Sequence, residues 1–127
     1  MSLHSLRSIQ SFTSFISSII LIMAWVYIFL AGLFEIAWAI GLKYTEGWTK
    51  FWPSVGTGVA LVASFALLSQ GIKTLPIGSA YAVWMGIGAV GVAIFGIVVL
   101  GEPRNAMRLF CIALVVAGIV GLKFSSK

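Results

Sequence analysis

Four long apolar runs separated by short polar stretches set the plan of the chain. A helix needs about 20 mostly apolar residues to cross a bilayer. The runs predict helices at about residues 24–42, 52–70, 77–100 and 107–124. The stretches between them are KYTEGWTK, GIKTLPIG and GEPRNAMR, each a brief loop rich in charge, Gly or Pro. Pro53 falls where a first helical turn accepts proline. On the second helix Gly56, Gly58, Ala60, Ala63 and Ser64 form a small-residue surface suited to close helix approach.

Residues 1–22 break the pattern. They are rich in Ser, carry His4 and Arg7 near the start, and end in an apolar segment. A basic start before an apolar segment is also the form of a short signal peptide. The segment runs into the first helix without a break, and the two together are too long for one span. Met23 is where a four-helix unit would naturally begin. The expectation is a native start there, with residues 1–22 an extension or a poorly ordered tail, and a four-helix domain over residues 23–127.

Composition narrows the class. Of 127 residues, 61% are hydrophobic and 9% charged, against about 25% charged in soluble domains. A soluble domain of this size could not hide so much apolar surface. The fold class is therefore an all-α integral membrane protein with four transmembrane helices. The net charge of +5 sits at the ends of apolar runs, which suits lipid headgroups and not nucleic acid. Cys111 is the only cysteine, so no intrachain disulfide forms. Its place in an apolar run reads as small-residue packing.

One residue carries chemistry against this background. Glu35 lies about two thirds of the way along the first run, which is about 28 Å long if helical, roughly a bilayer core. An acid in hydrocarbon costs about 2.5–3.5 kcal/mol on insertion scales, and the chain has only three acidic residues. The default reading is an intramembrane proton- or cation-binding site. Helical spacing puts Ala31, Gly32, Trp38 and Ala39 on its face, so the acid sits in a notch of small residues beside an indole. The bland alternative is a carboxylate that only bridges helices.

Other polar groups in the spans fit the same site. Ser64 could bond a buried carboxylate; bonding its own helix backbone is the plainer reading. Tyr81 and Trp84 share a face of the third helix. The Tyr81 hydroxyl needs a partner if buried, and Glu35 is the obvious one; a headgroup anchor is the alternative. Gly86, Gly88 and Gly91 could let the third helix bend, or serve only close packing. Gly118 and Gly121 give the fourth helix a small-residue stripe, a candidate dimer face.

The charges leave orientation undecided. Four spans put Arg7, Lys73, Lys123 and Lys127 on one side and Lys43, Lys50, Arg104 and Arg108 on the other. This balance permits insertion both ways. Two oppositely inserted copies would form an antiparallel homodimer with inverted-repeat symmetry, supplying eight helices and two Glu35 carboxylates.

The segments GLFEIAWAIGLK, LPIGSAYAVWMGIGAVG and GEP resemble the small multidrug resistance family, and within it the guanidinium-exporter branch. The resemblance covers residues 23–123. It implies a dual-topology antiparallel homodimer in the bacterial inner membrane that exchanges protons for small organic cations by alternating access. Glu35 matches the shared proton and substrate carboxylate. Gly32, Trp38, Ser64, Tyr81 and Trp84 match the surrounding binding positions. The spacing of Glu35 and Trp38 favours the guanidinium branch over exporters of quaternary ammonium compounds, which stay as the second reading. A third reading is a non-transporting membrane subunit whose Glu35 meets a partner protein. No cofactor, metal ligand set, nucleotide motif or catalytic constellation is read in the chain, so the expected activity is secondary transport and not enzymatic.

Overall fold

The computed structural model describes residues 2–125, which fold into four α-helices: α1 Leu3–Tyr44, α2 Phe51–Gly71, α3 Ile77–Val98 and α4 Ala106–Ser125. All four are long and apolar enough to cross a membrane. Lys127, counted above among the terminal-side charges, lies outside the described residues.

Three helices start and stop within two residues of expectation, and α1 does not. It is unbroken over 42 residues, about 63 Å at the α-helical rise, instead of beginning near residue 24. The physical reason is local. The first proline of the chain is Pro53, so nothing removes a backbone donor from α1. The Ser2 side chain caps the helix by accepting from the Ser5 amide at 3.2 Å. Ser8, Thr13 and Ser18 donate to the carbonyls of His4, Ile9 and Ser14, four residues back. These hydroxyls are satisfied by their own helix and do not break it. Residues 2–20 are exposed throughout; burial in α1 begins around Leu21 and Ala24.

The helix ends are set by their loops. Thr45 is buried and closes α1: its hydroxyl donates to the Leu42 carbonyl at 2.8 Å and accepts from the Trp48 amide at 3.2 Å. Glu46, Gly47 and Trp48 then take positive φ values, which turn the chain into α2. Gly101, with φ of 69°, reverses the chain beyond α3, which ends at Val98.

Helix α1 lies between α2 and α3, and the backbone of α4 approaches only α3. Close approach is carried by glycines facing particular side chains. A Cβ on Gly71 of α2 would come within 2.5 Å of Ile28, and one on Gly41 of α1 would collide with Thr57. Gly56 and Gly58, expected on a surface for close helix approach, have nothing within 4 Å in the single chain. Between α1 and α3, Gly32 faces Ile87 and Gly91 faces Ile36; between α3 and α4, Gly86 faces Ile119. The buried core is small: Ala24, Ile28, Ala31, Leu68, Ala80, Val83 and Trp84 form its centre. Helix α4 has no buried residue. Cys111, expected as a packing residue, is exposed on it, and Gly118 and Gly121 have nothing within 4 Å.

Candidate functional site

Glu35 is placed by the C-terminal half of α1, where the helix is covered by α3. It is 8% exposed. Its carboxyl group lies against Gly88 of α3: a Cβ built there would be 2.6 Å from both Cδ and Oε2 of Glu35. Gly88 therefore leaves the space that the carboxylate fills. Oε2 is buried and has no hydrogen-bond partner among the described residues. An unpaired acceptor in such surroundings is costly unless something fills the role.

A second element of the site ties three helices together. Ser64 of α2 is fully buried. Its hydroxyl donates to the Ala31 carbonyl of α1 at 2.7 Å. It accepts from Nε1 of Trp84 on α3 at 3.0 Å. The Ala31 carbonyl is also the one that α-helical geometry offers to the Glu35 amide. Ser64 thus bears on the turn of backbone that carries Glu35. Neither sequence reading of Ser64 describes this: it bonds neither the carboxylate nor its own helix, but the neighbouring helix and an indole.

Trp84 is nearly fully buried, with Tyr81 packed edge-on at 5.2 Å between ring centroids and Phe65 tilted at 5.5 Å. Its N–H is occupied by Ser64. Tyr81 is 50% exposed, and among the described residues no hydrogen bond joins it to Glu35. In the single chain its contact is with the Trp84 ring, and the expected hydroxyl–carboxylate bond is not formed among the described residues. Trp38, one turn beyond Glu35, has a buried Nε1 without a partner among the described residues. Gly32 brings α1 close to Ile87.

The arrangement brings together Gly32, Glu35, Ser64 and Trp84, with Trp38 alongside and Tyr81 at the outer edge. Gly88 belongs with them. Sequence reasoning treated it as a bending point, although its place one turn beyond Trp84 was a usable signal. Phe65 was also missed; nothing in its sequence context separates it from other apolar residues.

Four helices long enough to span a membrane, with a buried acid between α1 and α3 whose Oε2 has no partner among the described residues, define a multi-pass membrane protein with an acid inside its apolar spans. A family model described as Small Multidrug Resistance protein matches residues 23–115, and the chain belongs to that family. A guanidinium exporter of Escherichia coli (strain K12) is 57% identical over 104 residues, which span 82% of this chain and 99% of that protein. Guanidinium exporters of Proteus vulgaris and Salmonella typhimurium are each 55% identical over 104 residues, 82% of this chain and 100% and 99% of theirs. The chain is a transporter rather than an enzyme, and a multi-pass protein of the bacterial inner membrane.

Proposed function

We propose that this protein exports guanidinium and small guanidinyl cations in exchange for protons, with Glu35 as the shared binding carboxylate. The observation that carries the reading is the unpaired, buried Oε2 of Glu35 against Gly88. Guanidinium is planar, stays protonated, and presents N–H donors in a fork that a carboxylate accepts in parallel. Either a proton or this cation neutralises the acid, and the neutral complex is the form that low-dielectric surroundings favour. The two ligands compete for the same oxygens. If the empty, ionised carrier does not switch sides, competition alone couples their movements in opposite directions.

The neighbours have supporting roles. Ser64 and Trp84 fix the turn that holds Glu35. The rings of Trp38 and Tyr81 offer faces to a cation, and Trp84 backs Tyr81. Gly86, Gly88 and Gly91 leave α3 without bulk where it meets α1 and α4, which lets it bend as access alternates. Gly118 and Gly121 on the uncovered α4 form the face for a second, antiparallel copy. The exposed N-terminal part of α1, residues 3–20, is no part of the proposed site.

The test is guanidinium-driven proton movement in liposomes, comparing wild type with Glu35→Gln. Coupled movement lost in the variant is the expected result. A tetraalkylammonium ion, which has no N–H donors, is expected to drive little movement; strong movement favours a quaternary ammonium exporter. No movement with either cation in folded wild type would favour a non-transporting subunit.

A further inference from the structure

Helices α1 and α3 run parallel, as their successive contacts advance together from Gly32 and Ile87 to Glu35 and Gly88 and on to Ile36 and Gly91. One turn past Glu35 is Ala39, and one turn past Gly88 is Val92. Between these residues a cleft of about 180 Å³ continues toward the α3–α4 loop, with Lys43 and Glu102 at its outer end. It starts one helical turn past the buried carboxylate, beyond the contact of Ile36 with Gly91, and runs to the helix ends.

Glu102 is built into this outer end. Gly101 turns the chain back, and the Glu102 amide donates to the Gly96 carbonyl at 3.0 Å. The Glu102 carboxylate lies over Gly96, where any Cβ would collide with it. Its Oε2 accepts from Nη2 of Arg108 at 2.8 Å. The Arg108 backbone amide is itself held by Oδ1 of Asn105 at 2.9 Å. The acid beside the cleft thus already binds a guanidinium group, that of the chain's own arginine. The pair is accessible, with the Glu102 side chain 44% and the Arg108 side chain 31% exposed. Ion pairs so exposed contribute little to stability, so a mobile guanidinium can exchange for the tethered one.

We propose that Glu102 is an outer binding site for guanidinium-type cations at the open end of this cleft, with Arg108 as its resident occupant, an assignment that rests on guanidinium transport at Glu35. An incoming cation displaces Arg108 and is held at Glu102, which raises its concentration at the helix ends on the way to or from Glu35. Lys43, on the same rim, opposes retention and favours onward movement or release.

The test uses the full chain in liposomes and reads guanidinium-driven proton movement against guanidinium concentration. Glu102→Gln is expected to raise the half-saturating concentration about fivefold with little change in maximal rate. Arg108→Gln is expected to lower it, and the double variant to behave as Glu102→Gln. Both single variants break the same ion pair, so a purely structural clamp predicts shifts in the same direction. That outcome, or no shift in either, overturns the outer site. Arg108→Lys, which keeps the charge and removes the fork, is the milder variant and is expected to shift in the direction of Arg108→Gln. Glu46→Gln removes another loop acid at the same end; a shift equal to that of Glu102→Gln would mean a general surface-charge effect and no site. Wild type without guanidinium-coupled movement fails the transport reading itself. Coupled wild type with parallel shifts fails the outer site alone.

Discussion

Gly88 and Glu35 divide one space between them: the Cβ that any other residue would bring to position 88 falls 2.6 Å from Cδ and Oε2 of the acid. Packing on α3 therefore decides where the carboxylate of α1 can be. Gly88→Ala must displace it, at an overpacking cost of about 1–3 kcal/mol. Guanidinium-coupled proton movement is expected to fall by about tenfold or more. Glu35→Asp, one methylene shorter, is expected to restore part of the activity in the Gly88→Ala background. A double variant no better than Gly88→Ala alone would sink this account of the glycine.

Ser64 is held on both sides, by the Ala31 carbonyl and the Trp84 indole. Ser64→Ala leaves a buried N–H unpaired and is expected to cost about 1–2 kcal/mol in folding. Trp84→Phe removes that donor as well. Equilibrium unfolding in detergent should then show Ser64→Ala costing less in the Trp84→Phe background than in wild type. Equal costs in both backgrounds would mean that the bond contributes nothing to stability.

Gly118 and Gly121 face open space in the single chain. Leucine at both positions should leave helix content by circular dichroism unchanged, since nothing within the chain is struck. On the proposed assembly it should shift the protein from dimer to monomer in sedimentation. A dimer that survives both substitutions would move the pairing surface away from this stripe.

Every residue from Ser2 to Ile20 is exposed. Deleting residues 2–20 is expected to leave the thermal midpoint in detergent within a few degrees and transport within about twofold. A large loss of stability would reveal packing by this segment that the single chain lacks.

Much of this architecture is legible in the residues themselves. Four apolar runs gave four helices, because length and hydropathy suffice to specify a span. A lone acid in the first run marked the site. The start of α1 was not legible: serine-rich polarity suggests an end, yet Ser8, Thr13 and Ser18 bond their own helix and permit it to continue. Partners across helices were also hidden. Ser64 meets Ala31 and Trp84 through rotations and offsets that no single helix encodes. For the same reason the sequence does not show that Gly56 and Gly58 meet nothing within the single chain, while Gly71 and Gly88 carry close approaches.

The bare flank of α4 has a consequence for how this protein can be measured. A terminal helix of 20 residues without one buried side chain draws its tertiary stability from whatever lies beside it. If that neighbour is another copy, mass action enters every melting curve. The apparent midpoint should then climb as the protein-to-detergent ratio rises, and a single number quoted without that ratio would describe the micelle as much as the molecule.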